Sequence, residues 1–253
     1  MTAGHAAAGR LPTPWRSRFW RPEALAMLVL QRHQLVGLSQ AGWDAIQARP
    51  WDDTARACLA HWAARRLPLV VTQQRAGLQG GVMALGLAAP TQWQRRKFAL
   101  QVPRGHLRHH HDCREFPAAI DVAGLLLPAV RPGWLGLCEK LASLGSAARV
   151  YGSHGWQQLT GLDYLHPASD IDLRLAVSTP AMADAIAAAL DGAVFGGPRL
   201  DGELVLPDGA AVAWREWLQW RARKVDGILV KRLGGPALER GDGWLALKKC
   251  PSC

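Results

Sequence analysis

Ala148-Arg149-Val150-Tyr151-Gly152-Ser153, followed sixteen residues after that serine by Ser169-Asp170-Ile171-Asp172-Leu173, is the stretch whose reading decides the fold. The first half reads as a short strand ending in a Gly-Ser turn, with a helix over about residues 155–161 to follow. The second half reads as a strand over 170–177. Side chains alternate across a strand, so Asp170 and Asp172 share one face while Ile171, Leu173, Leu175 and Val177 take the other, toward a core. Two carboxylates about 6–7 Å apart on one strand face can share a divalent cation or bridge two of them. Glycine at the turn lets backbone N–H groups and a helix N-terminus approach a phosphate closely. Taken alone, Asp-Ile-Asp is most simply an amphipathic strand with solvated carboxylates. The Gly-Ser turn one element before it and a carboxylate-bearing strand one element after it favour metal-dependent chemistry on a nucleotide phosphate.

Downstream, Ser178-Thr179-Pro180 opens an alanine-rich helix over 180–190, with proline at the first helical position and Asp191-Gly192 at the end. Residues 200–206 and 211–217 read as a hairpin about Pro207-Asp208-Gly209. A last helix and strand occupy 220–230, and a tail begins at 234. Upstream, leucines at helical spacing mark helices over 121–130 and 133–144. The first hundred residues mix a helix over 41–64, interrupted at Pro50, with strand-like runs at 35–38, 67–72, 82–87 and 97–102. The expected architecture is α+β. It comprises a disordered N-terminus (1–20), a small α+β domain (21–104), a linker (105–117), a mixed sheet flanked by helices (118–233) and a C-terminal tail (234–253).

With 253 residues and 49% hydrophobic content, the chain has ample material for a core. No apolar run approaches the roughly 20 residues needed to span a bilayer, and no signal-peptide pattern is found, so a cytoplasmic location is expected. A net charge of +10, spread over both halves, calls for an anionic partner: a polyphosphate, an acidic protein surface or nucleic acid. The five cysteines are odd in number and irregularly spaced, as in a reduced protein. Cys250-Pro251-Ser252-Cys253 has no second ligand pair and reads as tail. His109-His110-His111-Asp112-Cys113 offers metal-ligand types, but adjacent residues do not easily close one tetrahedral site, and the run reads as a solvated linker.

The order strand, Gly-Ser turn, helix, Asp-x-Asp strand, helix, carboxylate strand resembles the nucleotidyltransferase superfamily, which includes DNA polymerase β and the aminoglycoside nucleotidyltransferases. From about residue 32 to 231 the chain looks more closely like the malonate decarboxylase holo-acyl-carrier-protein synthases, a family of phosphoribosyl-dephospho-coenzyme A transferases. The narrower resemblance is carried by Trp156-Gln157, Leu159-Thr160-Gly161, Tyr164-Leu165, Leu200-Asp201-Gly202-Glu203, Ala213-Trp214-Arg215-Glu216-Trp217 and Ile228-Leu229-Val230-Lys231. An insert at 161–168 makes the gap between turn and aspartates longer than is usual in the superfamily. The resemblance implies a polymerase-β-like domain that moves the prosthetic group of 2′-(5″-triphosphoribosyl)-3′-dephospho-coenzyme A to a serine of the apo acyl carrier protein subunit of malonate decarboxylase. Diphosphate would be released. Asp170 and Asp172 would hold two Mg²⁺ ions, with Mn²⁺ an alternative. A third carboxylate would come from Asp201 or Glu203, between which the sequence does not choose. Gly152 and Ser153 would cradle the diphosphate, with Lys231 or Arg215 as a cationic clamp. Neither a membrane nor nucleic acid is an expected partner.

Each of these residues has a plainer reading. Trp156 and Trp214 can stack on adenine, but in a chain with twelve tryptophans core packing is the commoner fate. His154 can donate to an anion or simply sit in a loop, and Lys231 can be an exposed strand-end lysine. Arg95-Arg96-Lys97 suggests that the N-terminal unit docks an acidic carrier protein. Two other functions fit the same motifs: nucleotidyl transfer to a small hydroxylated acceptor, and non-enzymatic binding of an anion.

Overall fold

The computed structural model describes residues 30–75, 78, 81–108 and 115–245. The expected disordered N-terminus, the His109–Cys113 run and the Cys250/Cys253 pair lie outside them. Strands β1 (Leu35–Val36), β2 (Leu69–Val71), β3 (Val82–Ala88) and β4 (Lys97–Pro103) pair antiparallel in that order. Between β1 and β2 run α1 (Gln40–Gln47) and α2 (Asp53–Ala64). The helix expected over 41–64 with an interruption at Pro50 is thus two helices. Pro50 falls in the break, and each helix has its own N-cap: Ser39 accepts from Gly42 N and Asp52 from Ala55 N. Leu69 and Val71 are buried with Trp43, Ile46, Leu59 and Trp62, whereas Val70 between them is only partly covered.

The second half supplies α3 (Arg131–Ser143), β5 (Ala148–Tyr151), α4 (Gly152–Thr160), β6 (Ile171–Ala176), α5 (Pro180–Asp191), β7 (Leu200–Val205), β8 (Ala211–Ala213), α6 (Trp214–Arg221), β9 (Gly227–Arg232) and β10 (Gly235–Arg240). The sheet order is β10-β9-β8-β7-β6-β5. Strands β6 and β7 are parallel, joined across α5, and the other neighbours are antiparallel. Helices α3, α5 and α6 bury their apolar faces in one core with the sheet. The expected α+β order, a small domain and then a mixed sheet flanked by helices, is the order found.

Three boundaries differ from the expectation. The helix expected over 121–130 is a 3-10 segment, Ala119–Leu125, which ends short of Pro128. The second hairpin strand stops at Ala213, and Trp214, Trp217 and Trp220, spaced every three residues, bury one face of α6. The tail expected from 234 begins as β10, paired with β9 along its length across the two-residue turn Leu233-Gly234.

The two halves share side chains. Phe116, Trp156 and Tyr164 belong to the N-terminal core, with the Trp156 ring 5.3 Å from that of Phe116 and 6.5 Å from that of Trp62. Tyr164 Oη donates to Ala88 O at 2.8 Å. Burial therefore resolves Trp156 as core.

Candidate active site

Strand β5 delivers the Gly-Ser turn directly onto the aspartates. Tyr151 lies opposite Asp172 in the antiparallel β5–β6 pair, so the next residue, Gly152, sits against the Asp172 carboxylate. Gly152 has φ +62°, and a Cβ built there would lie 1.8 Å from Asp172 Oδ2. No other residue fits. The longer gap does not separate turn from aspartates, because the insert is pinned aside. Gln157 Oε1 accepts from Tyr164 N at 2.9 Å and from Leu165 N at 3.0 Å, and Thr160 Oγ1 accepts from Leu162 N at 3.2 Å. Gln157 and Thr160, at the end of α4, thus fasten the insert.

Helix α4 starts at Gly152 itself, three residues earlier than expected, and places Ser153 in its first turn. No side chain caps that end. Its leading amide groups have no carbonyl within the helix to bond, which is the usual setting for an anion. His154 is buried, and its Nδ1 lies 3.0 Å from the Asp170 carbonyl oxygen. A carbonyl only accepts, so Nδ1 carries the proton. Burial holds this imidazole below its ordinary pKa, which makes His154 a neutral strut under the Asp170 backbone.

In the parallel β6–β7 pair Asp172 stands opposite Asp201, at the spacing of about 4.8 Å between neighbouring strands. Burial, then the charges of Asp201 and Asp170, push the Asp172 carboxyl up to about 6. Asp170 goes the other way. Arg199 Nη2 donates to its Oδ2 at 2.6 Å and Nε at 3.2 Å, lowering its pKa, and the same Nη2 is 3.6 Å from Asp201 Oδ2. Nothing in the sequence around Arg199 marks it as a partner of these carboxylates. Only the parallel register, which sets Leu200 beside Ile171, reveals that the residue before each faces the other.

Glu203 shares the Asp201 face but is otherwise engaged. Its Oε1 accepts from Lys231 Nζ at 2.8 Å and Arg32 Nη2 at 3.4 Å, and Oε2 is 3.3 Å from His33 Nε2. Burial by itself would raise this carboxyl, but His33, Lys231 and Arg32 outweigh it and draw it down to about 2. Lys231 is accordingly held by Glu203. Arg215 stacks over Trp214 with 4.0 Å from guanidinium carbon to ring centre, and donates to Leu200 O at 2.8 Å. Trp214 itself is buried in the core. In the N-terminal unit, Arg96 pairs with Asp52.

Among the described residues, no group of three or more His, Cys, Asp or Glu side chains is gathered into a ready metal cage. Arg199 reaches both Asp170 and Asp201. The donor set nevertheless fits a hard divalent cation, being carboxylate oxygen throughout on one sheet face. Beside burial, the charges of Asp201 and Asp170 raise Asp172 and are only partly offset by Arg199; such a cation would offset the rest. Among the described residues, no helix is long and apolar enough to cross a membrane.

A mixed sheet that backs a Gly-Ser turn onto paired aspartates is the arrangement expected of a nucleotidyltransferase domain. Comparison with known proteins is narrower. The family model for the phosphoribosyl-dephospho-CoA transferase MdcG C-terminal domain matches residues 119–241, and the model for the N-terminal domain matches residues 31–112. A phosphoribosyl-dephospho-CoA transferase of Xanthomonas axonopodis pv. citri is 34% identical over 203 residues, covering 79% of this chain and 89% of that protein. One of Bradyrhizobium diazoefficiens is 35% identical over 190 residues, covering 73% and 80%. One of Pseudomonas putida is 30% identical over 186 residues, covering 73% and 83%. The chain belongs to the phosphoribosyl-dephospho-CoA transferase family, and its enzyme class is that of a transferase. No solved structure matches it.

Proposed function

We propose that this chain transfers the phosphoribosyl-dephospho-coenzyme A unit of 2′-(5″-triphosphoribosyl)-3′-dephospho-coenzyme A to a serine of the apo acyl carrier protein subunit of malonate decarboxylase, in the cytoplasm, with release of diphosphate. The observation that carries this reading is Asp172 set between Gly152 and Asp201, which puts an anion-binding helix start beside paired carboxylates. In the reaction, the serine oxygen forms a bond to the α-phosphorus while the bond from that phosphorus to the bridging oxygen of the departing diphosphate breaks. The serine proton passes to a carboxylate oxygen of Asp201, which is 43% exposed and so open to an incoming acceptor. The third carboxylate is Asp201, since Glu203 is enclosed by Arg32, Lys231 and His33.

Asp170, Asp172 and Asp201 would hold Mg²⁺, with Mn²⁺ a substitute; when bound, the cation neutralises phosphate charge. The Gly152 and Ser153 amide groups at the start of α4 orient the outer phosphates. Arg199, whose side chain is 60% exposed, is free to swing from Asp170 to the leaving diphosphate. The net charge of +10 steers the enzyme toward an acidic carrier protein. The test is reconstitution with apo carrier protein and donor. Mass spectrometry should show the carrier gaining one phosphoribosyl-dephospho-coenzyme A unit, and failure to gain it removes this function.

A further inference from the structure

Where the two units meet, the outward faces of their sheets look at one another. On β2, Leu69 and Val71 point into the N-terminal core and Val70 outward. On β9, Ile228 and Val230 are buried while Leu229, 36% exposed, and Lys231 point outward. Between these faces lies a groove of about 360 Å³, whose lining includes Arg32, Val70, Leu229, Lys231, Arg232 and Pro236. That volume is in the range of small-molecule sites. The walls are fixed relative to each other: Gln74 N donates to Leu233 O at 2.7 Å, and Arg32 and His33 reach across to Glu203. The groove is therefore formed before any ligand arrives.

We propose that this groove seats the dephospho-coenzyme A portion of the donor, a proposal that rests on the transferase reading above. Its place is right. Glu203, which Arg32 and Lys231 bind, lies two residues beyond Asp201 on the same strand face, roughly 7 Å along β7. Its chemistry is right as well. Arg32 and Lys231 share one carboxylate, which leaves a positive charge over, while Arg232 is paired with Glu239 at 2.8 Å. Next to these cations, Val70, Leu229 and Pro236 offer an apolar wall. The donor presents the same order: a triphosphate, two sugars, a second diphosphate, then a long uncharged arm with a branched apolar segment. With the triphosphate at the Gly-Ser turn, the second diphosphate falls to Arg32 and Lys231 and the arm to the apolar wall.

Dephospho-coenzyme A is the probe, because it lacks the triphosphoribosyl group and does not require the carboxylates. It is titrated calorimetrically into the full chain and into Val70→Trp and Leu229→Glu, which alter outward positions. Mn²⁺ binding by electron paramagnetic resonance reports whether fold and carboxylates are intact. The expected result is at least tenfold weaker dephospho-coenzyme A binding in both variants with Mn²⁺ binding retained. The proposal is overturned if the unaltered chain binds no dephospho-coenzyme A at millimolar concentration, or if both variants bind it as the unaltered chain does. It is equally overturned if they lose affinity for the carrier protein alone. Transfer to the carrier, followed separately by mass, keeps the two readings apart. Transfer with undiminished binding in both variants sinks the groove and spares the transferase. Weakened binding without transfer to this carrier sustains the groove and removes the acceptor.

Discussion

Gly152→Ala is the substitution on which the site's geometry bears most sharply. Two costs are separable. The first is backbone strain, since alanine at φ +62° costs about 1–2 kcal/mol and would lower the melting temperature by roughly 2–8 °C. The second is displacement, because the new methyl carbon would stand 1.8 Å from Asp172 Oδ2, so the carboxylate must retreat by more than an ångström. A misplacement of about 1 Å at a reacting centre costs on the order of 10²-fold in rate. Gly161→Ala isolates the first cost, because Gly161 has φ +70° and nothing within 4 Å of the added carbon. Denaturant melts of both variants should show similar losses of stability. Carrier-protein transfer rates should fall about 10²-fold only in Gly152→Ala. A Gly152→Ala enzyme whose kcat stays within a few-fold of that of Gly161→Ala would refute the claim that Gly152 exists to admit the Asp172 carboxylate.

Other outcomes follow from the charges. With its pKa raised from 3.8 to about 6, Asp172 binds a proton more tightly in the folded state, so stability declines as pH rises through that window. Asp172→Asn should therefore be about 1–3 kcal/mol more stable than the unaltered chain at pH 8 while losing transfer, and a destabilised variant in denaturant titrations at that pH would contradict this. Glu203 is the opposite case: drawn from 4.5 to about 2, it contributes stability that is present above 4.5 and lost as pH falls toward 2. Glu203→Gln should cost roughly 3–5 kcal/mol near neutral pH and flatten the acid limb of the stability curve; an unchanged acid limb counts against the cationic cage. Arg199→Gln frees Asp170 and Asp201, and Mn²⁺ titration without donor should show about two- to fivefold tighter binding, given how exposed the pair is. Equal or weaker Mn²⁺ binding would show that Arg199 does not compete for those carboxylates.

Much of the carboxylate strand was legible because period-two alternation in Asp170–Val177 fixes both its core face and its polar face. The Gly-Ser turn was legible as well, although where α4 begins was not: glycine at the first helical position gives no cap to read. The choice between Asp201 and Glu203 could not be made from sequence. Both share a face, and only Arg32, His33 and Lys231, distant in the chain, show that Glu203 is enclosed. The same pairing shows where Lys231 is held, against Glu203, which its place at a strand end does not reveal. Two further features are legible in the sequence. Trp214, Trp217 and Trp220 at intervals of three signal a helix where a strand was expected. Gly234-Gly235 between two alternating runs signals a hairpin where a tail was expected.

The proposed chemistry is defined by what is moved and onto what. Apo carrier protein incubated with this chain, donor and Mg²⁺ should gain one phosphoribosyl-dephospho-coenzyme A mass on a single serine, and should gain none with Asp172→Asn, with Asp201→Asn or after chelation of the cation. No gain with the unaltered chain, or an undiminished gain with both aspartates replaced, would contradict it.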